Sequence, residues 1–167
     1  TDYIDLYQFH DNGFPPAKAG PIRDTLEALI DDKKIRAYGW STDFPKSAEF
    51  FALGERCAAI QAELNVLDDN AEIVAVCEKH NLGLINRGPL AMGLLTGKYV
   101  GGVKPSADDV RGEKSPEWMK YFKNGQPSAE YTNKINAVRE VLTSGGRTLA
   151  QGALAWLWAR SPKTLPI

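Results

Sequence analysis

Residues 33–63 read KKIRAYGWSTDFPKSAEFFALGERCAAIQAE, and this stretch decides the predicted fold. Residues 35–40 are rich in β-branched and aromatic side chains, which predicts a strand. Pro45 suits the first turn of a helix, and apolar residues recur on one helical face after it. Residues 59–63 predict a second strand. Because a strand, a helix and a strand in this order join by a right-handed crossover, we expect two parallel strands with a helix packed across them.

The same alternation extends to both sides of this unit. Residues 3–9 predict a strand, and a helix that begins at Pro21 follows it. Downstream, Asp69 and Glu72 have the spacing of a capping box for another helix, and residues 82–86 predict the next strand. The first half of the chain therefore predicts four strands that alternate with three helices.

The regular alternation stops at Gly88. Residues 101–126 form a long polar stretch with glycines, prolines and charged side chains, which is typical of a loop that is functional or mobile. A helix is predicted at residues 129–142, and a second one begins at Thr148, which forms a capping pair three residues ahead of a glutamine. Residues 164–167 then predict a fifth strand.

This order of elements predicts an α/β protein with a parallel sheet covered by helices. Two architectures compete. A doubly wound sheet that binds a dinucleotide usually carries GxGxxG after a strand, and this chain has no such motif. A (β/α)8 TIM barrel needs no single motif but requires roughly 250 residues. We therefore favour parallel (β/α) units that form about half of a TIM barrel, with residues 1–167 as one partial domain whose two ends cut through strands.

The composition excludes several classes of protein. A hydrophobic fraction of 43% over 167 residues supports a buried core. With 20 basic and 21 acidic residues the chain has no electrostatic footprint for nucleic acid or an anionic membrane, and no apolar run approaches the roughly 20 residues of a membrane span. Cys57 and Cys77 lack CxxC spacing, and the two histidines offer no metal-ligand pattern. We expect a cytoplasmic protein with reduced thiols, no metal and a small partner.

Polar residues follow the predicted strands. In a parallel sheet the C-terminal ends of the strands lie at one edge, which is where such folds bind their ligands. The residues predicted at that edge are His10, Ser41, Thr42, Gln61, Asn86 and Arg87. The histidine can bind a carbonyl oxygen or relay a proton, and the hydroxyl and amide groups can orient a ligand amide. A capped loop histidine and a segment that caps the next helix explain the same residues without a ligand.

The segment from Arg87 to Tyr99, RGPLAMGLLTGKY, contains three glycines and a lysine. Such a segment can present backbone N–H groups to an anion near a helix start. It is not a Walker loop, because Gly93 lies one residue too close to Gly97 and Lys98, and Tyr99 replaces the required Ser or Thr. Lys98 and Arg111 can supply cations to a phosphate, and solvated surface charge is the alternative for both.

Taken in order, six segments make the chain similar to the second half of an aldo-keto reductase: TDYIDLYQFH, KKIRAYGWS, AIQAELNVLD, RGPLAMGLLTGKY, LAQGALAWLWAR and TLPI. The resemblance covers nearly the whole chain. It implies a (β/α)8 barrel that binds NADP(H) across its rim and transfers a hydride to the carbonyl of a small aldehyde or ketone.

The resemblance also implies roles for the residues at the predicted sheet edge. His10 matches the histidine that orients the substrate through its carbonyl oxygen. Ser41, Thr42 and Gln61 match the trio that grips the nicotinamide carboxamide, with Thr42 in place of the usual Asn. Arg87 occupies the position of the aromatic ring that stacks on the nicotinamide in many relatives, and a guanidinium plane can stack as well.

The glycine-rich segment receives its roles from the same resemblance. Gly88, Leu90 and Gly93 match the loop that contacts the pyrophosphate of the cofactor. Lys98 and Arg111 match positions that approach the cofactor phosphates. Together these residues imply a dinucleotide site that does not use the Rossmann fingerprint.

Part of the catalytic set of the family is expected outside this chain. The general-acid tyrosine, with the lysine and aspartate that tune it, would precede Thr1, and the adenosine-phosphate site would follow Ile167. We therefore expect the fragment alone to be inactive, and a second copy or a missing N-terminal half to cover the open sheet edges. The alternative is a noncatalytic NADP(H)-binding or interaction module on the same scaffold.

Overall fold

The computed structural model describes residues 1–99 and 102–167. Its strands are β1 (Ile4–Phe9), β2 (Ile35–Ser41), β3 (Cys57–Glu63), β4 (Gly83–Arg87), β5 (Phe122–Lys123), β6 (Gln126–Pro127) and β7 (Thr164–Pro166). Strands β1, β2, β3, β4 and β7 form a sheet in that order, and every neighbouring pair is parallel. Strands β5 and β6 form an antiparallel hairpin. The prediction of an α/β chain with five parallel strands is confirmed.

Five α-helices are described: α1 (Gly20–Asp31), α2 (Pro45–Ala52), α3 (Ala71–Lys79), α4 (Ala129–Thr143) and α5 (Leu149–Arg160). Short 3-10 turns lie at Pro16–Lys18, Ala91–Thr96 and Ser144–Gly146. Both α1 and α2 carry proline in the first turn, where its missing N–H costs nothing. Every helix predicted from the sequence is therefore present.

Two helix starts test the predicted capping pairs, with opposite results. Before α5, the side-chain oxygen of Gln151 accepts from the backbone N–H of Thr148 at 2.8 Å. In return, the Thr148 hydroxyl accepts from the backbone N–H of Gln151 at 3.2 Å. Before α3, the prediction of Asp69 as the cap is wrong. The cap is Asn70, whose side chain accepts from the N–H three residues on at 3.4 Å. The chain enters this helix one residue later than the predicted box requires.

The described residues divide into two compact units. The first, which we call the sheet unit, comprises Thr1–Leu64, Asn70–Arg87 and Arg160–Ile167. The second, which we call the helical unit, comprises Asn65–Asp69 and Gly88–Ala159, without residues 100 and 101. The sheet unit contains the parallel sheet and helices α1 to α3, whereas the helical unit contains the hairpin, α4 and most of α5.

Large aromatic side chains form the core of the sheet unit on the face of the sheet that packs against helices. Trp40 and Phe51 are fully buried, and their ring centroids lie 4.6 Å apart. Phe9 lies 5.2 Å from Trp40. Because successive side chains of a strand point to opposite faces, Ser41, next to Trp40, lies on the other face of the sheet.

A polar network anchors α1 within the sheet unit. The Tyr38 hydroxyl donates to Glu27 at 2.6 Å, and Arg56 donates to Glu27 and to Asp31, each at 2.6 Å. Although burial by itself raises it, the hydrogen bonds from Tyr38 and Arg56 hold the pKa of Glu27 below its ordinary value. A Cβ on Gly54 would lie 1.9 Å from the Tyr38 hydroxyl, so this position has no room for a side chain.

The core of the helical unit includes residues from the predicted polar loop. Gly101, the first residue of that loop, lies outside the described residues. In the described part of the loop, Met119, Tyr121 and Phe122 are buried. The Asn65 amide is fully buried and donates to the Tyr121 hydroxyl at 2.8 Å. This part of the stretch is a packed segment, which its polar composition does not predict.

The outer strands of the sheet each have a described neighbour on one side. Ile4 on β1 is 46% exposed and Leu165 on β7 is 59% exposed, so apolar side chains face solvent at both edges.

Across the residues that the structure describes, no helix combines the length and the apolar character needed to cross a bilayer.

Candidate functional site

The strand register brings together the edge residues of the sheet unit. Ser41, the last residue of β2, pairs with Gln61 of β3. Arg87, the last residue of β4, pairs with Glu63 at the end of β3. His10 directly follows β1. Neighbouring strands lie about 4.8 Å apart, so these residues line an edge of about 15 Å from β1 to β4.

His10 is exposed at this edge. None of residues 1–99 and 102–167 makes a hydrogen bond to its imidazole in the structure. Both ring nitrogens are therefore available to a ligand, one as a donor and one as an acceptor in the neutral ring.

Ser41 and Gln61 form a matched pair of polar groups. The Ser41 hydroxyl donates to the Gln61 carbonyl oxygen at 3.4 Å, and Ser41 is only 3% exposed. No described residue accepts from the Gln61 amide nitrogen, which keeps two N–H donors. A carboxamide presents one oxygen acceptor and two N–H donors. The Gln61 N–H groups and the Ser41 oxygen therefore fit the carboxamide of a nicotinamide.

Thr42 occupies a different environment from its neighbour. It is fully buried, and its hydroxyl donates to the Asn12 carbonyl at 3.1 Å and accepts from the Phe44 N–H at 3.2 Å. The donor of the hydroxyl and one of its two lone pairs are thus used inside the loops. Because the side chain is fully buried and its one donor is engaged, Thr42 does not offer a cofactor a free hydrogen-bond donor.

Two amides near this edge have no hydrogen-bond partner among the described residues. Gln8 pairs with Gly39 in the sheet, and a Cβ on Gly39 would lie 2.6 Å from the Gln8 amide nitrogen. Both polar atoms of Gln8 and both of Asn86 are buried without a partner in residues 1–99 and 102–167. A buried amide without a partner costs about 1–3 kcal/mol. The edge therefore retains unmet hydrogen-bonding capacity, which fits a site that binds a polar ligand.

Arg87 is held by a residue that the sequence reasoning missed. Its guanidinium forms an ion pair with the carboxylate of Asp43, which lies in the loop after β2. From the sequence, this loop is expected to orient a ligand through Thr42 or to cap the next helix, and Asp43 has no predicted role in the site. No local sequence pattern predicts this ion pair, because Asp43 and Arg87 are 44 positions apart in the chain.

The glycine-rich loop lies in the helical unit and consists of tight turns. Its φ angles are positive at Gly88 (65°), Ala91 (49°), Met92 (54°) and Gly93 (88°). The Leu90 carbonyl accepts from the Gly93 N–H at 2.9 Å. The prediction of free amides near a helix start is therefore wrong for Gly93, because the loop uses this N–H internally.

The two predicted phosphate-binding cations differ in their surroundings. Arg111 donates to both carboxylate oxygens of Asp109, at 2.7 and 2.6 Å, and to the Met92 carbonyl at 3.0 Å. The hydrogen bonds from Arg111 lower the pKa of Asp109 to about 2. Lys98 is exposed, with its ammonium 5.6 Å from the Tyr99 ring centroid. The charge of Arg111 is thus countered within the unit, whereas Lys98 remains accessible.

Comparison with known proteins gives a consistent result. The sequence profile of the Aldo/keto reductase family matches residues 1–167. The chain is 28% identical over 174 aligned residues to the NADP(+) aldo-keto reductase yakc of Schizosaccharomyces pombe, which covers 99% of this chain and 48% of that protein. It is 27% identical over 167 residues to a probable voltage-gated potassium channel subunit beta of Arabidopsis thaliana, covering 93% of this chain and 48% of that protein.

A solved structure resembles the chain over its full length. The glycerol dehydrogenase from Gluconobacter oxydans superposes with a TM-score of 0.74 at 28% identity, covering 100% of this chain and 50% of that one. The chain therefore spans about half the length of these relatives.

Proposed function

The chain belongs to the aldo/keto reductase family, and from this premise we propose that residues 1–167 are the second half of the (β/α)8 barrel of an NADP(H)-dependent carbonyl reductase. The observation that carries the proposal is the register of Ser41 with Gln61. It places a hydroxyl beside a free amide nitrogen at neighbouring strand ends, which is the donor and acceptor set that a nicotinamide carboxamide requires.

In this proposal the sheet unit binds the nicotinamide end of the cofactor. Ser41 and Gln61 hold the carboxamide, and Arg87 presents its guanidinium plane to the nicotinamide ring. Thr42 acts indirectly, because its hydroxyl fixes the loop between β2 and α2. The bound cofactor supplies the hydride that reduces the carbonyl.

The glycine-rich loop of the helical unit is the proposed binding element for the phosphates. The turns at Gly88, Leu90 and Gly93 bring the backbone close to the pyrophosphate without using the Gly93 N–H, which the Leu90 carbonyl engages, and the accessible Lys98 neutralises negative charge. Arg111 braces the loop through Met92 and contributes less as a direct contact, since Asp109 already counters its charge.

His10 is the proposed binding group for the substrate. Its imidazole donates a hydrogen bond to the carbonyl oxygen of a small aldehyde or ketone and orients the carbon that is reduced. The proton donor of the reaction is proposed to lie outside these residues. Loss of such a donor costs about 100-fold to 10,000-fold in rate, so we expect the 167-residue chain alone to reduce carbonyls very slowly.

The free thiols of Cys57 and Cys77 support a cytoplasmic location.

Titration of the 167-residue chain with NADPH, followed by cofactor fluorescence, tests the cofactor site. We expect Gln61→Glu to weaken binding about tenfold, because the isosteric change replaces two N–H donors with an acceptor. Gln151→Glu is the matched control, since Gln151 caps α5 in the helical unit and we expect its replacement to leave binding unchanged. Equal affinity of the wild-type chain and Gln61→Glu would contradict the proposed carboxamide site.

Turnover separates the enzyme from its alternative. NADPH consumption with a reactive aromatic aldehyde is measured for the chain alone and for the chain with an N-terminal barrel half restored, and we expect activity only in the second case. Rapid turnover by the chain alone would contradict the proposal that the proton donor lies outside residues 1–167. The mass of the intact protein in cells tells whether the chain is a fragment.

The second candidate is a noncatalytic NADP(H)-binding or interaction module. Its support is the similarity to a potassium channel subunit beta. Tight NADPH binding with no carbonyl reduction, even after the missing half is restored, would favour this candidate over the reductase.

A further inference from the structure

Asp43 makes hydrogen bonds to several elements of the sheet unit through its side chain and its backbone. Its carboxylate accepts from the Glu63 N–H at the end of β3 at 2.7 Å, and its own N–H donates to the Asn12 side chain at 2.7 Å. Its carbonyl accepts from the Asn70 amide at 3.2 Å. The position of this carboxylate is therefore set by the loop after β1, by β3 and by the start of α3.

The second oxygen of this fixed carboxylate binds Arg87. The ion pair joins the Asp43 side chain, 27% exposed, to the Arg87 side chain, 34% exposed. A long arginine side chain at a strand end has many rotamers in solution, and a rigid carboxylate restricts them. The pair also places a negative charge directly against the positive charge at the end of β4.

We propose that Asp43 is a positioning residue that holds the Arg87 guanidinium and balances its charge, and that it thereby sets the relative affinity of the site for oxidised and reduced nicotinamide. This inference rests on the proposed function, in which Arg87 presents its plane to the nicotinamide ring. It adds a residue and a property that neither the strand register nor the resemblance predicts.

The expected effect of Asp43 on cofactor affinity is electrostatic. The oxidised nicotinamide ring carries a positive charge, and the reduced ring is neutral. An arginine without a counter-charge repels the oxidised ring and leaves the reduced ring unaffected. The carboxylate of Asp43 cancels this repulsion because it lies against the same guanidinium. Contacts to the phosphates and the ribose are common to both forms, so they cancel in the ratio of the two dissociation constants.

The test measures the dissociation constants of NADP+ and NADPH for the 167-residue chain and its variants by calorimetry. Asp43→Asn removes this counter-charge from Arg87, so we expect it to weaken NADP+ relative to NADPH on the order of tenfold. Arg87→Gln leaves the carboxylate unbalanced, so we expect the ratio to move in the opposite direction by a similar factor. In the double variant we expect the ratio to return towards the wild-type value.

A matched control removes a carboxylate from another ion pair of the sheet unit. Asp5 pairs with Arg36 at 2.8 Å near the starts of β1 and β2, and both side chains are exposed. We expect Asp5→Asn to leave the ratio unchanged. A merely structural role for Asp43 would weaken both cofactor forms equally, because disorder at the edge affects contacts that the two forms share.

Each outcome decides between the proposals. If the wild-type chain binds neither form, alone or with an N-terminal barrel half restored, the proposed function fails at the cofactor site, and this inference fails with it. If both forms bind and the single variants do not shift the ratio in opposite directions, the role of Asp43 is overturned and the proposed function stands. If Asp43→Asn loses its far-ultraviolet circular dichroism, the sign of the shift in Arg87→Gln alone decides.

Discussion

The candidate residues of the sheet unit lie at strand ends, whereas those of the helical unit lie in a loop with left-handed backbone. Ser41 and Gln61 lie side by side because a ladder of backbone hydrogen bonds sets their register. The loop around Gly93 depends on local turns and on a brace from Arg111 to the Met92 carbonyl. The register of β2 and β3 is held by backbone hydrogen bonds of many residues, whereas the conformation of the loop depends on the single Arg111 side chain. We therefore expect the two units to respond differently to single substitutions.

The largest effect is expected at the closest backbone approach in the sheet unit. A Cβ on Gly39 would lie 2.1 Å from the Ala59 carbonyl oxygen of the neighbouring strand, so Gly39→Ala forces β2 and β3 apart. We expect a loss of about 3 kcal/mol or more in the free energy of unfolding, measured by urea denaturation. Gly20→Ala is the control, because its Cβ meets open space. A change below about 1 kcal/mol in Gly39→Ala would show that the strands adjust.

The next effect is expected in the helical unit at a buried amide. The Asn65 side chain donates to the Gly88 carbonyl at 3.1 Å and to the Tyr121 hydroxyl at 2.8 Å. Asn65→Ala removes both of these bonds and a third, which the side-chain oxygen accepts from the Leu67 N–H at 3.0 Å, so we expect a loss of about 2–3 kcal/mol by the same measurement. Asn133→Ala on the exposed side of α4 is the control and should change stability by under about 0.5 kcal/mol. Similar values for the two variants would contradict this role of Asn65.

A smaller effect is expected from the loop itself. Gly93 has a φ of +88°, and a Cβ there would lie 3.1 Å from the Arg111 guanidinium. We expect Gly93→Ala to cost about 1–2 kcal/mol, because an L-residue is strained at this φ. Amide hydrogen exchange should show faster exchange in the turn Ala91–Thr96 and unchanged protection of β2 and β3. Uniform loss of protection in both units would remove the distinction between them.

The smallest effect is expected in acid. Arg111 lowers the pKa of Asp109 to about 2, so the folded carboxylate binds protons more weakly than the unfolded one. The stabilisation is therefore present above pH 4 and is lost as the pH falls from about 4 to about 2. Hydrogen exchange of the loop as a function of pH measures it, and Asp109→Asn should abolish this part of the pH dependence. A wild-type loop whose protection is constant over that range would contradict the prediction.

Most of the fold follows from local patterns in the chain. β-branched and aromatic runs predict the strands, and proline and the Thr148 pair predict helix starts correctly, because these signals act over three or four residues. The cap of α3 was predicted one residue too early, since Asp69 and Asn70 are both good capping residues and local spacing does not choose between them. The buried Tyr121 and Phe122 were missed because the polar residues around them dominate the composition.

The sequence by itself determined that the strands are parallel and that His10, Ser41, Gln61 and Arg87 end up at one edge, because strand direction and strand ends are read from the order of elements. Only the tertiary structure decided which of these groups are available. The Thr42 hydroxyl donates to the Asn12 carbonyl, and the Arg87 guanidinium forms an ion pair with Asp43. The physical reason is that hydrogen-bond and charge partners come from residues distant in sequence, and a polar group offers a ligand only the donors and acceptors that those partners leave unused.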